Sequence, residues 1–197
     1  NEFRPIAILP YLSKVLEKIM ENQIRIFISK YSLLTEKQSG YRTNRSCTTA
    51  LINVVEDVRM ELEKNNLCFL ILLDHSKAFD TVNHQILCRK LKNIFNFSKS
   101  AVKLIASYLK DRSQAVYANN KLSNFLSVNR GVPQGSNLGP LLFSLYINDL
   151  PSVLQSCKTH MYADDVQLYH SCNKNSVDTC VAEINADLDK INNWAFN

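Results

Sequence analysis

The sequence predicts an α+β fold in which a small antiparallel sheet is backed by helices. Stretches with apolar residues at helical spacing alternate with short strand-like stretches, and two of the latter have hairpin patterns rather than the regular order of a βαβ repeat. The 197 residues are 46% hydrophobic and 21% charged, a composition typical of one globular unit with an apolar core.

Composition narrows the class of protein. No apolar run approaches the roughly 18 residues that a membrane span needs, and residues 1–20 lack the pattern of a secretory signal. The net charge of +5 is compatible with a phosphate-bearing partner but is common among proteins without one. The six cysteines include no CxxC pair and no zinc-ligand spacing, which indicates buried, reduced thiols in an intracellular protein.

Two helices are predicted before the first strand. Apolar residues recur at helical spacing over residues 12–30, which predicts an amphipathic helix with Ser13 as a candidate cap. A second helix is predicted behind Ser46, ending at Asn65 and Asn66. The side chains that we expect to face the core are Leu12, Val15, Leu16, Ile19, Ile24 and Phe27 in the first helix and Ala50, Val54, Val58 and Leu62 in the second.

The segment "CFLILLD" at residues 68–74 gives the strongest strand signal in the chain. Its apolar residues are continuous rather than alternating, which predicts a strand that is covered on both faces and ends in Asp74. The later predicted elements are helices over 86–95 and from Val102 to near Asp111, a hairpin around Asn119 and Asn120, a helix from Ser136 to about Leu150 and a last helix from Ser176 to Trp194.

Two further segments carry candidate functional residues. In "HMYADDVQLY", residues 160–169, the alternation after Asp165 predicts a hairpin with Ala163 to Asp165 at its turn, although a plain turn also favours aspartate. In "GVPQGSNLG", residues 131–139, stand three of the four glycines. Glycine at this density indicates a backbone that bends sharply or approaches something closely.

Neighbouring strands would bring Asp74 together with Asp164 and Asp165. Each like-charge pair at about 4 Å costs on the order of several kcal/mol at the effective dielectric of a protein, so the cluster persists only with a bound proton or cation. Oxygen ligands select hard ions such as Mg²⁺ or Mn²⁺. Two such ions are a known device for phosphoryl transfer.

Five segments in order resemble the blocks of reverse transcriptases, most closely those of non-LTR, LINE-like retrotransposons. They are "NEFRPIAILPYLSKVLEKI", "QSGYRTNRSCTTAL", "LLDHSKAFDTVNH", "GVPQGSNLGPLLFSLYINDLP" and "MYADD". The resemblance implies a right-hand polymerase fold with fingers and palm and without the thumb. It implies fingers over 1–66 and palm over 67–197, with a fingers-like hairpin insert around 113–130.

The resemblance also implies an activity. Asp74, Asp164 and Asp165 would ligate two Mg²⁺ ions, for which Mn²⁺ can substitute, in RNA-directed DNA synthesis. The partners implied are an RNA template, a DNA primer and deoxynucleotides, together with endonuclease and thumb domains of a longer polyprotein. Nuclear action is implied by the family alone.

Further site residues follow from the matched blocks. Phe79 matches the aromatic residue that excludes a 2′-hydroxyl, or it is an ordinary core residue. Lys77 and Ala78 would offer backbone N–H groups to the triphosphate. Gln134 and Gly135 match the turn beneath the nucleotide, or they only shape a turn before a helix.

The basic residues of the first two blocks complete the implied site. Arg4 and Arg42 would neutralise phosphate and Arg45 would contact template, although surface arginines are common. Asp80 belongs to the block or caps the following helix. Two positions depart from the family pattern: His75 replaces an apolar residue and Asn83 an aspartate.

Two other functions remain open at this point. A decayed or domesticated domain would bind nucleic acid or a partner without catalysis, but such a domain has no physical need to keep mutually repelling carboxylates. An RNA-dependent RNA polymerase would share the acids, but it must accommodate the 2′-hydroxyl that Phe79 is expected to exclude.

Overall fold

A computed structural model describes residues 6–196 of the chain, and Arg4 lies outside this part. In chain order the helices are α1 (Tyr11–Lys30), α2 (Cys47–Glu63), α3 (Ala78–Thr81), α4 (His84–Asn93), α5 (Lys99–Leu109), α6 (Gly139–Tyr146) and α7 (Val177–Phe196), with a 3₁₀ helix at Leu150–Val153. The strands are β1 (Leu67–Asp74), β2 (Arg112–Gln114), β3 (Tyr117–Ala118), β4 (Lys121–Leu122), β5 (Leu126–Val128), β6 (Lys158–Tyr162) and β7 (Asp165–Cys172).

The chain forms two compact units, and each unit combines two separate stretches of sequence. The first contains the residues up to Leu33 and Lys77–Tyr146; the second contains Leu34–Ser76 and the residues from Ile147 onward. The division into fingers and palm at residues 66 and 67 stays a prediction.

The first unit is mainly helical. Helix α4 packs against α5 and α6, and the side chains buried among these helices are Leu87, Leu91, Phe95, Ile105, Leu109, Leu141, Leu142 and Leu145. Strand β2 pairs with β5, and β3 pairs with β4 across a turn at Asn119 and Asn120. Both asparagines have positive φ, as a tight hairpin turn requires, and the predicted hairpin is confirmed.

The second unit is built on an antiparallel sheet in the order β1-β7-β6. One face packs on α7, whose Cys180 and Ile184 are buried with Val166 and Leu168 of β7. Helix α2 lies on the other face, where its Asp57 accepts a hydrogen bond from the Tyr169 hydroxyl at 2.6 Å. The predicted cap of α2 is confirmed, because Ser46 accepts from the N–H of Thr49.

The predicted core face of α1 is wrong in its first half. Leu12, Val15, Leu16 and Ile19 are 42–80% exposed, whereas Glu17 and Glu21 are buried. Glu17 is held there because its carboxylate accepts the N–H of Asn137 at 2.8 Å, and Glu21 pairs with Lys18 and Arg25. Ser13 is not the cap, since the helix begins after Pro10 without a side-chain cap.

Two other expectations about elements need correction. Strand β1 is not covered on both faces: it is an edge strand, and Leu70 and Leu72 are 52% and 69% exposed. The helix expected from Ser136 to Leu150 is α6 alone, because the Ser136 hydroxyl accepts the N–H of Gly139 and the chain leaves the helix after Tyr146.

The described residues contain no disulfide and no candidate membrane span. All six cysteines are free thiols, but only Cys157 and Cys180 are buried and Cys47 is exposed. Between residues 6 and 196, no helix is both long enough and apolar enough to cross a membrane.

Candidate active site

The predicted acidic hairpin forms at the end of the sheet in the second unit. Strands β6 and β7 join through Ala163 and Asp164, and Asp165 is the first residue of β7. Asp165 pairs in register with both Asp74 of β1 and Tyr162 of β6. Directly opposed residues have side chains on the same face with Cβ atoms about 4.5–5.5 Å apart, so the sheet brings Asp74 and Asp165 together beside Asp164.

In the part of the chain that the structure describes, the side chains of the three acids are not paired with other groups. Within residues 6–196 no hydrogen bond or ion pair engages the side chains of Asp74, Asp164 or Asp165. The same part of the chain holds no preformed group of three or more His, Cys, Asp or Glu side chains placed to hold a metal ion. The donor set, oxygen only and negatively charged, nevertheless has the chemistry that a hard divalent cation prefers.

The turn at Ala163 is strained and is braced by neighbouring segments. Ala163 has a φ of +57°, a conformation that costs an alanine roughly 1–2 kcal/mol. The Nδ1 atom of His75 lies 2.9 Å from the carbonyl oxygen of Asp164. Burial, and then the negative charge of Asp164, raise the pKa of Tyr41 above its usual value, which places Tyr41 near the same turn.

Arg42 and Arg45 lie in the second unit, and both are engaged by Glu36. Arg42 donates to the carbonyl of Thr35 at 2.6 Å and pairs with Glu36. Arg45 pairs with the same carboxylate and donates to the Glu36 carbonyl at 2.7 Å. Burial lowers the pKa of Arg42. These contacts brace the loop between Thr35 and Arg45, and binding of phosphate by the two arginines stays a prediction.

Five of the implied nucleotide-binding residues lie in the first unit: Lys77, Ala78, Phe79, Gln134 and Gly135. Lys77 has a φ of +55° and precedes α3, in which Ala78 is buried. The ring of Phe79 stacks on Phe143, with centroids 4.8 Å apart, and the Phe79 carbonyl accepts the N–H of Val132 at 2.7 Å. The block around Phe79 is therefore fastened to the glycine-rich segment.

Gln134 and Gly135 shape the turn of this glycine-rich segment. Gly135 has a φ of +95°, and an added Cβ would press on Ile6 and Ala7. The Gln134 carbonyl accepts the N–H of Ala7 at 2.8 Å, and its side-chain amide lies 3.3 Å from both carboxylate oxygens of Asp80. A requirement for glycine at 135 thus follows from the turn alone.

Asp80 and Asn83 have distinct local roles. The cap of the following helix α4 is Asn83, whose side chain accepts the N–H groups of Gln85 and Ile86. Asp80 is therefore not that cap. Asparagine caps a helix about as well as aspartate, which explains why the departure at Asn83 is tolerated.

Solved structures with a similar fold include telomerases. Telomerase from Candida albicans, solved with a TWJ fragment of telomeric RNA, gives a TM-score of 0.57 at 15% identity over 87% of this chain and 32% of that one. Apo telomerase from Candida tropicalis, truncated from its C-terminal domain, gives 0.53 at 15% identity over 88% and 36%. The predicted α+β polymerase fold is confirmed.

Sequence comparison defines the family. Residues 1–195 match the family described as reverse transcriptase (RNA-dependent DNA polymerase), and the chain belongs to this family. It is 34% identical over 168 residues to the probable RNA-directed DNA polymerase from transposon X-element of Drosophila melanogaster (83% of this chain, 18% of that protein). It is 30% identical over 208 residues to the RNA-directed DNA polymerase from mobile element jockey of Drosophila funebris (99% and 22%).

These relatives support the predicted resemblance to non-LTR retrotransposon reverse transcriptases, which is confirmed. The chain spans about a fifth of their length. Enzymes of this family generally use divalent metal ions.

Sequence reasoning missed the residues that brace the acidic turn. His75 was visible only as a departure from the family pattern. Gln38 and Gly40 contact the turn from a segment more than 120 residues earlier in the chain. The one available signal was Gly40, the only glycine outside the cluster at 131–139.

Proposed function

We propose that this chain is the catalytic core of an RNA-directed DNA polymerase, which adds deoxynucleotides to the 3′-hydroxyl of a DNA primer on an RNA template. The observation that carries the proposal is the register of the sheet. It sets Asp74 directly opposite Asp165, the residue after Asp164, in a member of the reverse transcriptase family.

Asp74, Asp164 and Asp165 would hold two Mg²⁺ ions, or Mn²⁺ in their place. When bound, such ions promote loss of the primer hydroxyl proton and stabilise charge on the α-phosphate. The protein's own contribution is position: β1 and β7 hold the acids on one face, and the short turn fixes Asp164 next to them.

The remaining site residues would bind the nucleotide and the template. The backbone of Lys77 and Ala78 would meet the triphosphate, and Phe79 would exclude the 2′-hydroxyl above the turn made by Gln134 and Gly135. Their support is the contact between the Phe79 carbonyl and Val132, which joins the two motifs.

The basic residues would add charge compensation. Arg4 and Arg42 would neutralise phosphate, and Arg45 would contact the template. Because Arg42 and Arg45 pair with Glu36, they would have to exchange that carboxylate for phosphate.

A longer protein would supply further domains, since the chain spans about a fifth of the length of its relatives. By family membership we expect endonuclease and thumb domains elsewhere in a longer polyprotein and a nuclear site of action. A test for the compartment is localisation of a tagged longer protein, and exclusion of that protein from the nucleus would contradict the expectation.

Primer extension on an RNA template, with Mg²⁺ or Mn²⁺ and either deoxy- or ribonucleotides, tests the function. We expect deoxynucleotide addition that Asp164→Asn abolishes with little change in the midpoint of thermal unfolding, because the half-buried side chain loses its charge but keeps its size. The matched control is Asp189→Asn, an exposed aspartate on α7, which should polymerise normally. Metal-dependent synthesis by Asp164→Asn would reject the site.

A further inference from the structure

We propose that Gln38 is a positioning residue that sets the acidic turn in its active conformation by pairing with the backbone of Ala163. The inference rests on the proposed polymerase function for its catalytic consequence, but its structural part stands apart from any activity. It assigns a role to a buried side chain that the reaction itself does not use.

The segment that carries Gln38 is attached to the free edge of β6. Ser39 donates its N–H to the Met161 carbonyl at 2.9 Å, and Met161 donates to the Lys37 carbonyl at 2.7 Å, which forms a parallel bridge between Gln38 and Met161. The segment therefore follows β6 up to the residue before the turn begins.

At the end of this bridge the Gln38 side chain forms two hydrogen bonds with the backbone of the turn. Its Nε2 atom donates to the Ala163 carbonyl at 3.1 Å, and its Oε1 atom accepts the Ala163 N–H at 3.1 Å. Oε1 also accepts the N–H of Gly40 at 2.7 Å. Reversing the amide would oppose donor to donor and acceptor to acceptor, so the hydrogen bonds define its orientation.

The hydrogen bonds from Gln38 stabilise Ala163 in an unfavourable backbone conformation. Ala163 has a positive φ and is buried, as is Gln38, which has no exposed surface. Losing Gln38 would leave the buried N–H and carbonyl of Ala163 unpaired, at a cost that favours another turn conformation. Because Asp164 is the next residue, a change in the Ala163 backbone redirects its carboxylate.

Gly40 gives an independent reason to assign this role. A Cβ added at Gly40 would collide with the backbone N of Ala163 and approach its Cα at 2.8 Å. The loop therefore contacts the turn backbone to backbone, with no space between them. Two residues of one short segment, Gln38 and Gly40, are thus fitted to the same amino acid of the turn.

The test compares Gln38→Met, which keeps the side-chain length without hydrogen bonds, with Ser39→Ala. Ser39 is buried and its hydroxyl bonds His160 at 2.9 Å, so the control loosens the same segment without touching Ala163. Gln38→Glu, which keeps the acceptor and loses the donor, serves if Gln38→Met fails to fold.

The first readout needs neither metal nor activity. In the metal-free chain we expect the Ala163 amide to exchange with solvent about tenfold faster in Gln38→Met than in Ser39→Ala at equal global stability. In the same variants, Mn²⁺ affinity measured by electron paramagnetic resonance should fall about tenfold for Gln38→Met only. Equal exchange and equal Mn²⁺ affinity in the two variants would overturn the proposal.

Primer extension then gives the catalytic readout. We expect kcat to fall about 10- to 100-fold in Gln38→Met while the KM for deoxynucleotide changes little, because the carboxylates are misplaced and the nucleotide pocket is untouched. If amide exchange at Ala163 is faster in Gln38→Met but kcat is unchanged, the positioning role is rejected and the polymerase assignment is unaffected. If wild-type protein extended past Asn197 is also inactive while exchange is altered in Gln38→Met, the polymerase assignment is rejected and the structural part of the proposal stands.

Discussion

The position of Phe79 is compatible with two roles, a residue of the apolar core and a residue that excludes ribonucleotides. Its half-buried ring stacks on Phe143, as a core residue would, yet its position in the matched block is that of the residue that excludes ribonucleotides. We expect Phe79→Val to admit ribonucleotides more readily, since the smaller side chain leaves room for a 2′-hydroxyl. The measurement is the ratio of kcat/KM for deoxy- and ribonucleotides.

A control separates the two functions of Phe79. Phe143→Leu removes the stacking partner without shortening Phe79, and it should lower stability while leaving nucleotide discrimination nearly unchanged. If Phe79→Val leaves the discrimination ratio unchanged while destabilising the fold, Phe79 is a core residue.

For single residues, roles that depend on nearby residues could be predicted from the sequence. Contacts between residues far apart in the chain could not. Ser46 as a cap, Asn119 and Asn120 as a turn, and the three acids each depend on neighbours within a few residues or on a family motif. Gln38 depends on Ala163, 125 residues away, and no periodicity or spacing connects two such positions.

Among the elements, α1 shows how polar contacts outweigh periodicity. Glu17→Ala should lower the free energy of unfolding by about 1–3 kcal/mol, because it leaves the N–H of Asn137 without its acceptor. Leu16→Ala, one residue earlier and 54% exposed, should cost less than about 0.5 kcal/mol beyond any change in helix propensity. Urea denaturation of both variants measures the difference, and a larger loss for Leu16→Ala would contradict the described packing of α1.

Helix α7 contributes a buried anion that ties it to the start of β6. The Asp187 carboxylate is fully buried and accepts the backbone N–H groups of Gln155, Ser156 and Cys157 as well as the Lys190 ammonium. Burial alone raises the pKa of Asp187, but these hydrogen bonds outweigh it and hold the pKa well below its usual range.

Asp187→Asn should therefore lower the free energy of unfolding at pH 7 by about 2–4 kcal/mol. Since the folded pKa is depressed, the stabilisation is fully present above the unfolded pKa of about 4 and is lost as the pH falls below it toward the folded pKa. Urea denaturation between pH 7 and pH 3 should show a weaker acid dependence in the variant. The exposed Asp189→Asn is the control, and equal acid dependence in wild type and Asp187→Asn would contradict this role.

Each compact unit combines two separate stretches of the chain. This composition predicts whether a fragment of the chain unfolds cooperatively. A chain of residues 67–197 lacks α1 of the first unit and, from the second, α2 and the segment around Gln38. We expect it to unfold without a cooperative transition, whereas the full chain unfolds cooperatively. Thermal unfolding followed by circular dichroism measures this, and a cooperative transition in the fragment would show that the palm predicted at 67–197 folds alone.

The fold class and the family motifs were predictable because they depend on patterns within short segments. The burial of β1 and α1 was not, because burial depends on which faces the other elements cover. A run of apolar residues such as Leu70 to Leu73 fits a central strand and an edge strand equally well, and only the sheet order distinguishes them.

The sheet order also means that β1 is synthesised on the ribosome well before β7, the strand with which it pairs. His75 and Asp164, which adjoin the paired ends of β1 and β7, lie 89 residues apart. At about 5–20 residues per second, the apolar strand β1 waits roughly 5–20 s before its hydrogen-bonding partner is made. During that interval Leu70 and Leu72 stand on an unpaired strand, which exposes this part of the nascent chain to pairing with other chains.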